Sequence, residues 1–188
     1  VMNLFLININ KKIPHTRDTI LDTENINSGF TTFMGDGTKN IIIFRAEEMD
    51  KLVIHELIHF YYLDFHQLDI DLAQFLNVAD SIKFIPNESY TETMTILIHC
   101  ALLASEIDEG GGKRRLSLKL LKKQTINFLV KEIMFGLFQC AKILYQYNYH
   151  NISNFVLVND TNSNKPRLLE YTNNFRQTSC ILSYYFIK

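Results

Sequence analysis

Met49-Asp50-Lys51-Leu52-Val53-Ile54-His55-Glu56-Leu57-Ile58-His59-Phe60 is the stretch whose reading decides the fold. The pattern predicts a helix from Ala46 to about Asp64. Glu47 and Glu48 fall in its first turn, where carboxylates suit the positive end of the helix dipole. Val53, Ile54, Leu57, Ile58, Phe60, Tyr61 and Leu63 make it apolar on every side, as expected of a helix at the centre of a fold. Two histidines and a carboxylate in such a helix would be costly to bury without a purpose.

The residues before this helix read as β-structure. Val1 to Ile9 is a strand candidate. Gly29 to Met34 and Lys39 to Arg45 flank Gly35-Asp36-Gly37, a strong turn signal, and so predict a hairpin. After the helix, Asp69 to Ala79 suits a short helix. Pro86-Asn87-Glu88 opens a long one through about Glu106, with proline and an acid where a helix start tolerates them. Arg114 to about Tyr147 reads as a further long helix, weakened at Gly136. An Asn-rich loop from 148 to 166 encloses a short strand at 155–158, and Arg167 to Ile187 reads as a last helix. The expected class is α+β: a small N-terminal β-sheet (1–45) packed on a mainly helical body (46–188), all in one domain. Gly110-Gly111-Gly112 stands out in a chain with only seven glycines and resembles a linker replacing a loop as much as a natural turn.

Composition narrows the partners. With 188 residues, 47% hydrophobic and 21% charged, the chain is globular. A net charge of −1, from 19 basic and 20 acidic residues, gives no general attraction for nucleic acid or anionic membranes. No stretch reaches the ~20 apolar residues of a membrane span. Cys100, Cys140 and Cys180 include no CxxC pair and read as buried thiols in a reducing compartment. The N-terminal stretch makes a poor signal peptide. The expected location is therefore intracellular and cytoplasmic. Lys113, Arg114, Arg115, Lys119, Lys122 and Lys123 form a basic run, either a wet helix face or a landing patch for an acidic polypeptide segment.

His55-Glu56-Leu57-Ile58-His59 spells H-E-x-x-H. On a helix, positions i and i+4 share a face and stand ~6 Å apart, which suits two nitrogen ligands of one tetrahedral Zn²⁺. Glu56 lies ~100° round the helix, placed to take a proton from a water on the metal. A third ligand is then needed. Glu88 and Glu92 are i and i+4 on the next long helix. If Glu88 completes the site, Glu92 can accept a hydrogen bond from the second ring nitrogen of a ligand histidine. Asp64, Asp69, Asp71 and Glu92 itself are rival ligands. A third histidine in the H-E-x-x-H-x-x-G-x-x-H pattern would need Gly at 62 and His at 65. Those positions hold Tyr62 and Phe65, and without the glycine the helix is not expected to turn sharply. His99, about 16 Å along the helix from Glu88, is too far to share the ion.

H-E-x-x-H followed by Asn87-Glu88-x-x-x-Glu92 resembles the glutamate-zincin (gluzincin) metallopeptidases. The resemblance covers the active-site helix, the third-ligand helix and the strand before them, and leaves out the C-terminal part. By position it implies His55, His59 and Glu88 as zinc ligands, Glu56 as general base and Glu92 holding a ligand histidine. It also implies an oxyanion donor outside the zinc motif, for which Tyr90, Tyr184, Tyr185 and Arg176 are candidates. A substrate-binding edge strand is implied at Ile41, Ile42, Ile43 and Phe44. The expected reaction is hydrolysis of a peptide bond in a protein or peptide substrate. Two alternatives stay open: a zinc domain that only binds a protein partner, and a zinc hydrolase of a non-peptide substrate.

Overall fold

The computed structural model describes residues 2–7, 10–12, 14, 16, 19–64, 85–107, 117–149 and 180–185. The elements run β1 (Met2–Ile7), α1 (Thr23–Ile26), β2 (Gly29–Phe33), β3 (Lys39–Arg45), α2 (Met49–Phe60), α3 (Pro86–Glu106), α4 (Leu118–Gln146) and α5 (Ile181–Tyr185). This is the expected α+β arrangement, a small sheet with a mainly helical body. The expectations at Asp69–Ala79, Asp69 and Asp71 as ligands, Gly110–Gly112, 155–158 and Arg176 lie outside the described residues.

The sheet has the order β1-β3-β2. β2 and β3 form the expected antiparallel hairpin, in register from Gly29 against Ile43 to Phe33 against Lys39. Its turn is closed by Asp36, whose carboxylate accepts from the Thr38 backbone N–H at 2.9 Å. β1 pairs with the other side of β3 in parallel, Met2 beside Ile41 and Leu4 beside Ile43. This corrects one expectation. Ile41, Ile42, Ile43 and Phe44 lie in the central strand, whose backbone is paired on both sides, so no peptide can add there. Among the described residues, β2 has a partner on one side only.

Ile41 and Ile43 are buried under α2 and Asn40, Ile42 and Phe44 less so, the alternation expected of a strand with one covered face. Gly29 is a point of close approach between helix and sheet: a Cβ there would meet the Ile42 carbonyl oxygen at 2.7 Å and Leu52 at 2.9 Å. A 3₁₀ turn, Ala46–Glu48, leads into α2. α2 ends four residues earlier than expected. His55, Glu56 and Ile58 are its buried residues, whereas Tyr61 and Leu63 are 64% and 61% exposed. Those two residues lie past the helix end; within α2 no residue from Lys51 to Phe60 is exposed, and the helix is enclosed between the sheet and α3, as its apolar sequence predicts.

α3 begins where Pro86 predicts, with proline in the first turn. α4 begins at Leu118, capped by the Ser117 hydroxyl, which accepts from the Leu120 N–H. It runs unbroken through Gly136, which is buried with Cys140 and Ile143. α5 is a short piece of the expected last helix. Two serines fasten it to the start of α3: Ser89 donates to the Ser183 carbonyl at 3.0 Å, and the Ser183 hydroxyl donates to the Ile85 carbonyl at 2.8 Å. Leu21, Ile143, Tyr147, Tyr149 and Ile181 form a core joining the N-terminal segment to the end of α4 and to α5.

Candidate metal centre

His55 and His59 project from one face of α2, with ring centroids 4.9 Å apart. α3 crosses that face and brings Glu88, in its first turn, between them. His55 Nε2 and His59 Nε2 are 3.1 Å apart. Glu88 Oε2 lies 3.4 Å from each. Among the described residues, His55, His59 and Glu88 are brought together as a group that could hold a metal ion.

The donor set fits a tetrahedral ion. Bonds of ~2.0–2.1 Å place tetrahedral ligand atoms about 3.4 Å from one another, close to the triangle found here. Glu88 Oε2 is sealed from solvent and makes no hydrogen bond. A buried carboxylate oxygen left this way is costly unless a cation faces it. The other ring nitrogens are already committed. His55 Nδ1 lies 3.3 Å from Glu92 Oε2, and His59 Nδ1 lies 3.1 Å from Asp64 Oδ2. Each contact selects the tautomer with hydrogen on Nδ1 and leaves the Nε2 lone pair facing the centre. Lys51 in turn gives Glu92 Oε1 an ion pair at 2.5 Å.

The charges agree. Glu56, Glu88, Glu92 and Asp64 surround the two rings, and Lys51 is the cation that answers them at Glu92. Burial would depress the His55 imidazole, but Glu88 and Glu92 outweigh it and push it up to about 9. His59 is raised in the same way, against its own burial, chiefly by Glu88. Burial would raise Glu88, yet the two imidazoles hold it well below the usual carboxylate range. A cluster that pulls on protons this strongly is short of positive charge.

Glu56 is buried beside His55 and outside the donor triangle. Its Oε2 accepts a hydrogen bond from the Thr31 hydroxyl of β2 at 2.7 Å. Burial is the main reason its pKa is raised. His55 and Glu56 line a cleft together with Lys51, Leu52, Tyr184 and Tyr185. Tyr184 stands over His55, ring centroids 6.0 Å apart. Burial, then the nearby Glu88 charge, raises its phenol far above neutral pH, so it stays protonated and able to donate. Tyr185 lines the same cleft, while its carbonyl accepts from Cys140 Sγ at 2.6 Å. Tyr90, although on α3, is not among the described residues lining it. His99 lies outside the metal-binding group.

Three participants escape the sequence reading. Asp64 is weighed there as a rival ligand, but the structure puts it on the outer nitrogen of His59. Thr31 is a hairpin residue like any other until α2 packs on β2. Lys51, one turn before His55, carries a spacing signal that goes unused. The turn at residue 62 is a correction: Tyr62 adopts φ +55 and turns the chain sharply without glycine.

No family model and no solved structure matches the chain. Among curated proteins, an uncharacterized protein of Acanthamoeba polyphaga mimivirus is similar, with 27% identity over 122 residues. The match covers 63% of this chain and 29% of that viral protein. Among the described residues, no helix is long and apolar enough to cross a membrane.

Proposed function

We propose that this chain is a zinc-dependent peptidase of the gluzincin kind, with the ion on His55, His59 and Glu88. The observation that carries the reading is the buried, unbonded Glu88 oxygen equidistant from two imidazole nitrogens, with Glu56 beside it. A structural site would have no use for that flanking carboxylate. Zinc, when bound, supplies Lewis acidity toward a carbonyl and acidifies a water. The chain supplies the rest. Glu56 takes the proton of the attacking water and passes it to the leaving amine. Thr31 occupies Glu56 Oε2, which leaves Oε1 for that transfer. Tyr184 donates to the carbonyl oxygen as negative charge builds on it. Lys119, Lys122 and Lys123 are exposed at the start of α4 and suit a substrate with an acidic segment.

The test is a peptide-library cleavage assay with elemental analysis of the same samples. Glu56→Gln should retain zinc and lose turnover by at least about a hundredfold, the contribution expected of a general base. His55→Ala should lose stoichiometric zinc. Cleavage by Glu56→Gln at the parental rate would sink the base assignment. Zinc binding without cleavage of any peptide would favour the non-peptide or partner-binding alternatives.

A further inference from the structure

The C-terminus of α2 is built in an unusual way. Tyr62 N–H bonds to the His59 carbonyl and Leu63 N–H to the Ile58 carbonyl, at 3.0 and 2.9 Å. This is the Schellman arrangement, whose left-handed position normally falls to glycine. Here that position is Tyr62, at φ +55. A bulky residue there is strained and persists only when its surroundings hold it. The turn is also what carries Asp64 back to His59, two residues later.

The β2–β3 hairpin supplies the hold. Lys39 reaches across from β3 and donates to the Phe60 carbonyl at 2.8 Å, satisfying an orphan group at the helix end. The same ammonium lies 3.6 Å from the centroid of the Tyr62 ring and 5.3 Å from that of Phe60. Phe33, from β2, stacks on Tyr62 with ring centroids 5.3 Å apart. One cation thus touches both the last turn of the helix and the strained residue beyond it. The sheet grips the turn; the turn presents Asp64; Asp64 fixes the ring of His59.

We propose that Lys39 is a positioning residue for the metal centre, clamping the Tyr62 turn so that Asp64 stays on His59 Nδ1 and holds Nε2 toward the ion. The inference rests on the metal site read above and adds a remote determinant of its affinity. Mutation of outer partners of ligand histidines typically costs 10–100-fold in metal affinity. Lys39 acts through such a partner and inherits an effect of that size.

The test is zinc affinity, read by competition with a chromophoric chelator, for the full chain and four variants. Lys39→Met and Asp64→Asn should each weaken zinc by about tenfold or more. The double variant should be no weaker than the worse single variant, because both changes break one chain of contacts. Lys39→Arg, which keeps a cation and a donor in place, should restore affinity. Parental affinity in Lys39→Met, or losses that multiply in the double variant, would overturn the proposal. Should Lys39→Met lose its far-UV helical signal, Phe33→Leu carries the same test, since it removes the stack and leaves the Phe60 bond intact. A parental chain that takes up no zinc brings down the metal reading and the clamp with it. Zinc binding by the parent with no response to Lys39 brings down the clamp alone.

Discussion

At the scale of single residues, the site works by giving each atom one task. Both Nδ1 atoms are held by carboxylates, both Nε2 atoms face inward, and one oxygen of Glu56 is held by Thr31. The Thr31 contact is the most directly testable. Thr31→Val keeps shape and volume and removes the donor. Hydrogen bonds to a charged group contribute about 1.5–3 kcal/mol, so turnover should fall by at least about tenfold, with zinc content and KM little changed. Thr31→Ser should recover most of the loss. A Thr31→Val protein with parental kcat would show that Glu56 needs no such support. The H-E-x-x-H spacing makes His55, His59 and Glu56 legible in the chain, because helical periodicity fixes their relative directions. Glu88 and Glu92 are legible by the same i, i+4 logic. Asp64 is legible as an acid near the site but not in its role, because a left-handed Tyr is not a feature that propensity foresees.

At the scale of elements, the spacing between α2 and the sheet sets the distance from Thr31 to Glu56. Gly29 marks a tight point. Gly29→Ala would drive a methyl group into the Ile42 carbonyl and Leu52. Overpacking of this kind typically costs about 1–3 kcal/mol, so the melting temperature should fall. Helix and strand would also separate near Thr31, and turnover should drop further than in a surface Gly→Ala control at Gly35, where a Cβ meets nothing. Unchanged stability in Gly29→Ala would mean that the two layers yield freely. The hairpin and α3 can be read from local signals: a Gly-Asp-Gly turn and a proline at a helix start. The rank of β3 within the sheet cannot, since it depends on β1 arriving from far along the chain. α1, closed by a capping box between Asp22 and Asn25, is hidden for another reason: four residues are too few for periodicity to register.

At the scale of the whole molecule, the proposed metal site would link ion binding to folding. A ligand that binds only the folded state stabilises it by about 2.7 kcal/mol at a hundred times its dissociation constant. The strain of crowding carboxylates around His55 and His59 would be relieved at the same time. Zinc should therefore raise the melting temperature, a chelator should lower it again, and His55→Ala should respond to neither. A melting temperature indifferent to zinc in the parental chain would count against metal at this centre. The α+β class could be read from the order of patterns alone. The pinning of α5 by Ser89 and Ser183, which brings Tyr184 over His55, joins residues 94 positions apart, and no local pattern encodes it.

The parallel pairing of β1 with β3 has a consequence for biosynthesis. Met2 pairs with Ile41, so β1 is made, and emerges, well before its partner can reach it. At about 5–20 residues per second, that delay lasts on the order of seconds. The hairpin and α2 can close on themselves as they emerge, whereas β1 must wait for β3, its sheet partner among the described residues. The step that completes the sheet is thus the one most exposed to capture by chaperones.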